Sequence, residues 1–405
     1  MISSPKSSST PHPTPTSQSL PNSPLLSSTR ATTCWFLVPC VFQPIVSSPA
    51  CKKMHVRIPQ HAVKAAVKST KRKLYLYVPL DAAGWPATAR YVLTALYAMV
   101  IDAGRSRMDC KVVFRFTGVR RGMEENDAQL FSVAEEQEEG GVGENVGWKE
   151  GDVEYMDQVD AALTMPGDVA SIRRYFRMGV AAVELSIPER EEEYVEKVVD
   201  EGHPDDVVPG EEEENDDRMG DNKDTRTSNR RMAPYQVVAV GGTFDRLHAG
   251  HRLLLSVAAW SCSGHLRIGV TGPKLLEHKQ WKELIEPFEQ RVANVVSFVK
   301  SIRPRDLVVT AVELHDVEGP SVENGDIEAL VVSQETFDNA QYVNPKRKQR
   351  GLRPLDIVSV QVLSSPSCAF LEMMGQGEGK REKLSSTKWR EMEAKKRSGV
   401  HSMLD

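Results

Sequence analysis

Short apolar runs alternate with longer amphipathic segments along the C-terminal part of the chain. The first apolar run opens at Val237, and further runs cover residues 265–270, 307–312, 327–332 and 357–363. In segment 288–302 the apolar residues recur every three to four positions, which is typical of a helix packed on one side. Strands that alternate with helices predict a doubly wound parallel sheet with right-handed crossovers. The ligand crevice of such a sheet lies at the carboxyl ends of its strands.

A second set of alternating patterns lies upstream. Residues 74–80 and 110–118 have the composition of strands, and residues 87–103 between them carry the apolar spacing of a helix. Residues 169–178 predict another helix and residues 180–187 another strand. Together these elements predict a smaller α/β region over residues 73–187, for which the sequence indicates no role.

Composition assigns the other upstream residues to a tail and a linker. Residues 1–72 are rich in Ser, Thr and Pro and contain no Asp or Glu, so we expect a disordered tail. An organellar targeting peptide and a later start at Met54 are the alternatives for this segment. Residues 188–233 are dominated by Asp and Glu, and such self-repelling charge predicts an extended, solvated linker. The main α/β domain then covers residues 234–405.

Charge and cysteine content narrow the class of protein. The 405 residues carry a formal net charge of −5, which does not indicate a nucleic-acid-binding protein. The six cysteines show neither a metal-binding spacing nor a disulfide framework, as in proteins of a reducing compartment. We therefore expect no protein-bound metal site. No apolar run is long enough for a membrane span, so we expect a cytoplasmic location, with nuclear and mitochondrial locations left open.

The sequence VVAVGGTFDRLHAGHRLLL holds the first candidate site. At the end of its strand, Gly241 and Gly242 let the backbone turn and approach a ligand, because neither residue has a Cβ atom. Thr243 offers a hydroxyl there, and His248 and His251 share one face of the helix that follows. A strand, a glycine turn and a helix N-terminus predict a phosphate site. The alternative is an ordinary strand–turn–helix whose histidines only cap and pack.

The sequence KLSSTKWRE holds a second candidate site close to the C-terminus. Ser385, Ser386 and Thr387 fall where a final helix would begin. Hydroxyls and free N–H groups at a helix N-terminus suit triphosphate oxygens, and Lys388 and Arg390 add positive charge. An ordinary N-cap followed by a charged helix is the alternative.

Three further basic residues between the two motifs are candidate ligand residues. Lys274 and Lys279 follow the second predicted strand at the expected edge of the crevice, and Arg291 opens the next predicted helix. For each of them a solvated surface charge is the alternative. No G-x-G-x-x-G sequence follows a strand and no G-x-x-x-x-G-K-[ST] occurs, which argues against dinucleotide redox chemistry and against a P-loop kinase.

The spacing His248-Ala-Gly-His251 after GGTFD resembles the HxGH signature of the nucleotidyltransferase superfamily. With the stretches ELIEPFEQR, ALVVSQET, YVNPKRKQRGLRPLDIV and KLSSTKWR, the chain resembles phosphopantetheine adenylyltransferase of the eukaryotic and archaeal type, in a monofunctional, fungal-like arrangement. The resemblance covers less than half of the chain, between Val237 and Arg390. It implies the Rossmann-like nucleotidyltransferase fold, and transfer of AMP from ATP to 4′-phosphopantetheine to give dephospho-coenzyme A and pyrophosphate.

The resemblance also implies roles for individual residues and a cofactor. Thr243, His248, His251 and Lys279 would be catalytic, and Mg²⁺ would arrive with ATP, held mainly by phosphates and water. Gly250 would leave room for the nucleotide against the turn. The expected ATP- and substrate-binding residues are Gly241, Gly242, Thr243, Phe244, His248, Gly250, His251, Lys274, Lys279, Arg291, Ser385, Ser386, Thr387 and Arg390.

One segment departs from the bacterial members of this family. They carry an arginine-containing GLR sequence where this chain has SQET at residues 333–336. The role of that arginine therefore does not transfer to this chain. Lys346, Arg347 and Arg353 are candidates for the replacement charge.

Several alternatives to this reading stay open. The related enzymes are a nicotinamide mononucleotide adenylyltransferase and a cytidylyltransferase, and a protein of another class is a non-catalytic nucleotide-binding scaffold. The expected partners are ATP and 4′-phosphopantetheine, without nucleic acid or membrane. A complex with other enzymes of coenzyme A synthesis is left open.

Overall fold

The computed structural model describes residues 31–45, 53–80, 86–105, 108–116, 160–165, 181–185, 194–200, 207–208, 235–303, 307–361 and 386–401. The strands, in chain order, are β1 (Ala31–Leu37), β2 (Val41–Ile45), β3 (Lys53–Pro59), β4 (Thr70–Leu80), β5 (Asp109–Phe116), β6 (Ala161–Thr164), β7 (Ala181–Glu184), β8 (Tyr194–Asp200), β9 (Val207–Val208), β10 (Tyr235–Gly242), β11 (Cys262–Thr271), β12 (Val308–Leu314), β13 (Ala329–Ser333) and β14 (Asp356–Val360). The helices are α1 (Gln60–Ser69), α2 (Pro86–Asp102), α3 (Ala249–Ser261), α4 (Phe288–Ile302), α5 (Phe337–Ala340), α6 (Val343–Gln349) and α7 (Ser386–His401).

The C-terminal sheet confirms the predicted doubly wound architecture. Its five parallel strands lie in the order β12-β11-β10-β13-β14, and the two-residue strand β9 pairs antiparallel with β14 at the edge. Strand β10 is central, because Val240 pairs with Ile268 of β11 on one side and with Val331 of β13 on the other. All three side chains are buried, as expected for a parallel strand covered on both faces.

The N-terminal sheet repeats this strand order. Its five parallel strands lie in the order β5-β4-β1-β6-β7, so the first strand along the chain is again central. Trp35 and Phe36 of β1 are almost completely buried, and the indole of Trp35 stacks on the ring of Tyr75 in β4. The predicted smaller α/β region therefore includes a strand that its sequence boundaries left out.

Two predictions about order are corrected by these elements. The expected disordered tail over residues 1–72 is wrong for residues 31–45 and 53–72, and the expected linker over residues 188–233 is wrong for β8 and β9. Strands β2, β3 and β8 form a third, antiparallel sheet, in which Val56 and Ile58 are fully buried. The Ser, Thr and Pro content of the segment as a whole hides the short apolar strands within it. A chain that began at Met54 would lack the central strand β1.

Of the two helices described in the N-terminal region, α2 is the more apolar, and its ends carry clear signals. Pro86 starts it, where a missing N–H costs nothing. Gly104, with φ of 72°, ends it in a left-handed turn in which the Arg105 N–H donates to the Val100 carbonyl oxygen. Within the described part of the chain, no helix combines the length and apolar character that crossing a membrane requires. The predicted helix at residues 169–178 lies outside the described residues.

Helix α2 packs against α3, so the two parallel sheets share one continuous hydrophobic core. The Phe114 ring of β5 meets the Trp260 ring of α3 edge to face, with ring centroids 5.3 Å apart. The guanidinium of Arg303 lies over that indole, 4.9 Å from its centroid. The region upstream of β10 is therefore packed onto the main domain through α3.

We expect Trp260→Ala to lower the free energy of unfolding by about 3–5 kcal/mol, because it leaves a cavity between the two sheets. Trp260→Phe keeps most of the contact with Phe114 and is the matched control, with a smaller loss. Denaturant unfolding followed by circular dichroism measures both variants. Two separate transitions, of which only one responds to the substitution, would contradict a shared core.

Candidate functional site

The turn after β10 contains an unusual backbone. Phe244 and Arg246 have φ of 51° and 48°, in the left-handed region that side chains with a Cβ rarely adopt. Gly241 and Gly242, by contrast, are the last residues of the strand and have no positive φ. The expectation that these glycines make the sharp turn is therefore corrected. Gly242 instead makes room for the Phe244 ring, which would lie 3.1 Å from a Cβ atom at this position.

His248 and His251 form a stacked pair at the start of α3. His248 is the N-cap residue, and its Nδ1 accepts a hydrogen bond from the backbone N–H of His251 at 3.4 Å. The ring centroids lie 3.9 Å apart, and the Phe244 ring meets His251 edge to face. A Cβ atom on Gly250 would approach the His248 ring to 3.2 Å. A side chain at position 250 would therefore crowd the stacked rings.

Both imidazoles are held in the neutral form. Burial, together with the nearby charge of Arg252, lowers the pKa of His248 to about 4. Burial, His248 and Arg252 lower the pKa of His251 well below its usual range. Since Nδ1 of His248 accepts a hydrogen bond, its proton resides on Nε2. The two imidazoles can therefore act as neutral N–H donors at the start of α3, next to the turn after β10.

The two sequence motifs meet at Asp245, whose side chain is completely buried. One carboxylate oxygen accepts a hydrogen bond from Arg390 Nη1 at 2.6 Å, and the other accepts one from the Glu286 N–H at 3.0 Å. The backbone carbonyl of Asp245 accepts a hydrogen bond from the Ser386 hydroxyl at 2.7 Å. The start of α7 is thus fastened to the turn, although about 140 residues separate them.

Arg246 makes a second connection from the turn to α7. Its Nη1 donates to the Leu284 carbonyl oxygen at 2.6 Å, and its Nη2 donates to Glu393 of α7 at 2.6 Å. Its backbone N–H donates to Glu286 at 2.7 Å. Asp245 and Arg246 lie within the first sequence motif, but no local pattern predicts a role for them. The partners that reveal their roles lie far away in the sequence.

Arg390 and Arg291 are both almost fully buried and bond to protein groups. Besides Asp245, Arg390 donates to the Gln280 carbonyl oxygen and to the Thr387 hydroxyl. Arg291 Nη1 donates to the carbonyl oxygens of Thr243 and Thr271, at 2.8 and 2.9 Å. Arg291 thus joins the carboxyl ends of β10 and β11 from behind the turn. Both arginines position the site through other groups.

Lys279 reaches the turn from the segment after β11. Its Nζ donates to the Thr243 hydroxyl at 2.7 Å, and burial, followed by the charge of Arg390, lowers the pKa of the ammonium group. Lys274, which was predicted beside it, is exposed and does not line the cavity. Lys279 is the basic residue of this pair that the structure brings to the site.

A cavity of about 700 Å³ opens at the carboxyl ends of β10, β11 and β13. The structure brings most of the predicted site residues to its wall: Gly241, Gly242, Thr243, Phe244, His248, Gly250, His251, Lys279, Ser386, Thr387 and Arg390. It does not bring Lys274 or Arg291 there, and Ser385 lies outside the described residues. Another part of the wall is apolar and was not foreseen, since its residues share no motif: Leu314, Val317, Leu330, Val332, Ala340 and Val343.

Arg347 has a structural position and does not line the cavity. Its fully buried guanidinium donates to the carbonyl oxygens of Ser321, Asn324 and Arg353, at 2.6, 2.9 and 2.6 Å. Lys346 pairs with Glu318, which does line the cavity. Among the described residues, no three His, Cys, Asp or Glu side chains are grouped so that they could hold a metal ion.

The chain was compared with known proteins. Residues 239–392 match the family model described as cytidylyltransferase-like. This range contains residues 243–251, which we call the histidine turn, and most of the C-terminal sheet, and it extends into α7. The fold and the site of these residues are therefore those of a cytidylyltransferase-like domain.

Named relatives narrow this class further. Phosphopantetheine adenylyltransferase from Saccharomyces cerevisiae is 42% identical over 158 residues, which are 39% of this chain and 48% of the relative. The proteins of that name from Pyrococcus furiosus and Methanopyrus kandleri are 38% and 42% identical, and in each the match covers 32% of this chain and 80% of the relative. The chain belongs to the phosphopantetheine adenylyltransferase family. It spans about half the length of the yeast relative.

Removal of the Asp245 partner should destabilise the fold. Arg390→Met leaves a buried carboxylate without its closest cation, and we expect a loss of about 3–5 kcal/mol in the free energy of unfolding. Arg397→Met is the matched control, because Arg397 makes an exposed pair with Glu393 on the same helix and should lose less than about 1 kcal/mol. Denaturant unfolding at pH 7 measures both. Equal losses would contradict the buried clamp.

The lowered pKa of His248 makes stability depend on pH. Between pH 6.5 and about 4 the unfolded imidazole is protonated and the folded one is not, so folding loses stability as the pH falls. Over this range the loss from His248 should reach about 3 kcal/mol. His248→Asn keeps an N-cap acceptor without a titrating group, and its unfolding free energy should depend less on pH. Parallel pH profiles of the two proteins would rule out this role.

Proposed function

We propose that the protein is a pantetheine-phosphate adenylyltransferase that transfers AMP from ATP to 4′-phosphopantetheine and releases pyrophosphate. The observation that carries this proposal is the convergence of the histidine turn and the start of α7 at Asp245. Both then face one cavity that is large enough for a nucleotide and an acceptor. The names of the relatives support the identity of the acceptor.

The proposed reaction requires no protein nucleophile and no general base. The acceptor phosphate monoester has a second pKa of about 6, so it is largely dianionic at neutral pH. One of its oxygens attacks the α-phosphorus of ATP, and the bond from that phosphorus to the β-phosphate oxygen breaks. The protein has to hold two anions in line and stabilise the charge that develops on the transferred and leaving groups.

The site residues fit these tasks. The Thr243 hydroxyl and the Phe244 N–H lie at the turn where the acceptor phosphate would approach the α-phosphorus. The neutral imidazoles of His248 and His251 would donate hydrogen bonds from their N–H groups to the triphosphate oxygens. Lys279 donates to the Thr243 hydroxyl in this structure. When the phosphates bind, its ammonium group would turn toward them and offset their negative charge.

The β- and γ-phosphates would lie at the N-terminus of α7. The free N–H groups there and the Thr387 hydroxyl, which accepts from Arg390 and keeps its own hydrogen, suit these oxygens. The Ser386 hydroxyl would have to leave the Asp245 carbonyl oxygen before it could donate to a phosphate. Ser385, which precedes them, is proposed for the same role. Mg²⁺ would be bound by the phosphates and water, since it retains much of its hydration in such sites, and it would neutralise phosphate charge.

The test uses the full chain with ATP or CTP against 4′-phosphopantetheine and nicotinamide mononucleotide. Of these substrate pairs, we expect only ATP with 4′-phosphopantetheine to react, giving pyrophosphate and dephospho-coenzyme A. Turnover with another pair would replace the proposed substrates. ATP binding without turnover on any acceptor would favour the nucleotide-binding scaffold.

His251→Ala should lower kcat by about 10²- to 10³-fold, because it removes one donor to the developing charge. His265→Ala is the matched control: this histidine bonds to Thr310 across the sheet and does not line the cavity. Thermal unfolding of both variants shows whether the fold is kept. Near-normal turnover by a folded His251→Ala protein would remove His251 from the mechanism.

A further inference from the structure

Helix α3 carries the histidine pair at its N-terminus and is buried along nearly its whole length. One side of it packs on the C-terminal sheet, as a helix of a doubly wound fold must. Another side packs on α2 and β5 of the N-terminal region. The position of the histidine turn therefore depends on two sheets.

A single stripe of α3 faces the N-terminal region. Arg252, Ser256 and Trp260 follow each other at intervals of four residues, so they lie on one face of the helix. Each has a partner there: Asp109 for Arg252, Tyr97 for Ser256 and Phe114 for Trp260. Two polar contacts and one aromatic contact thus fix the helix along its length.

Arg252 lies at the end of this stripe next to the histidines. Its backbone N–H donates to the His248 carbonyl oxygen at 3.0 Å, and its Nη1 donates to the Leu247 carbonyl oxygen at 2.7 Å. Its Nη2 contacts Asp109 at 3.4 Å. The arginine is buried, with its guanidinium 5.9 Å from the centroid of the Phe298 ring. It therefore joins the residues just before α3 to the first residue of β5.

The second polar contact lies one turn further along α3. The hydroxyls of Tyr97 and Ser256 are 3.2 Å apart, and Tyr97 also lies 3.5 Å from the Cys110 carbonyl oxygen. With the Ser256 hydroxyl as donor to Tyr97, and Tyr97 as donor to Cys110, each hydrogen has one acceptor. Both side chains are fully buried, so this contact fixes the helix without access of water.

We propose that the N-terminal region is a positioning element of the adenylyl-transfer site. Asp109 holds Arg252 under the Leu247 carbonyl and so sets where the imidazoles of His248 and His251 point. The charged groups at this contact are Arg252, Asp109 and Lys111, whose Nζ lies 3.4 Å from the second carboxylate oxygen of Asp109. The role assigned to Asp109 rests on the proposed function. It requires no ligand in the N-terminal region.

The test compares Asp109→Asn with Asp200→Asn in the full chain. Asp200 pairs with Lys53 between two strands of the antiparallel sheet, away from α3, so it is a matched substitution in the same region. We expect Asp109→Asn to lower kcat about tenfold, because a small displacement of a catalytic group is costly. Asp200→Asn should keep the turnover of the unmodified chain. Tyr97→Phe, one turn further away, should have a smaller effect than Asp109→Asn.

A double-mutant cycle shows whether Asp109 acts through Arg252. If it does, Asp109→Asn combined with Arg252→Gln lowers kcat no further than Arg252→Gln alone. Independent losses that multiply would contradict a shared path to the histidines. Both measurements are made well below the thermal unfolding midpoints of the variants.

The ring resonances of His248 and His251 give a readout that does not depend on activity. In histidine-labelled protein we expect Asp109→Asn to shift both resonances and Asp200→Asn to leave them in place. Unchanged resonances and unchanged turnover in Asp109→Asn would overturn the proposal. If the unmodified chain forms no dephospho-coenzyme A, the proposed function fails, and the resonances alone decide whether Asp109 positions the histidines.

Discussion

The Asp245 carboxylate is completely buried and pairs with the Arg390 guanidinium, 2.6 Å away. A charge in that position is costly unless a partner compensates it. The buried pair therefore couples the turn after β10 to the start of α7. The same interaction brings Ser386 and Thr387 to the cavity that the histidine pair lines. With the other hydrogen bonds between the turn and α7, it holds the side chains of the two motifs at one cavity.

The strained turn after β10 depends on the pairing of Asp245 with Arg390. Phe244 and Arg246 adopt left-handed backbone conformations on either side of Asp245, and such conformations persist only where the surroundings over-determine them. Here Phe244 is packed against His251, and Arg246 is bonded to Leu284 and Glu393. The outcome is a preorganised set of donors, in which two neutral imidazoles and the hydroxyls line one cavity. Preorganisation of this kind is what a transfer between two anions requires.

The packing of the N-terminal region onto α3 changes how the chain should be viewed. A second sheet with the same strand order lies against the helix that carries the histidines, and the two share a core. Composition suggested a tail and a linker around a separate small region. That division was incomplete, because a few short apolar strands are enough to build a buried sheet inside a segment dominated by Ser, Thr and Pro. The buried residues of these strands include Trp35, Phe36, Val56 and Ile58.

The sequence by itself determined the parallel architecture of the C-terminal sheet. It also determined the two segments that face the crevice, the histidine turn and the start of α7. Periodicity, helix starts and short motifs are local properties, which is why the sequence shows them. It also indicated Lys279, which follows a strand at the crevice edge. Only the tertiary structure decided that Arg291 and Arg390 bond to carbonyl and carboxylate groups of the protein, and that Lys274 stays outside the cavity. The positive φ of Phe244 and Arg246 and the contact between Asp109 and Arg252 were likewise settled there. These features depend on partners that are distant in sequence and become neighbours only when strands and helices pack, so no local pattern encodes them.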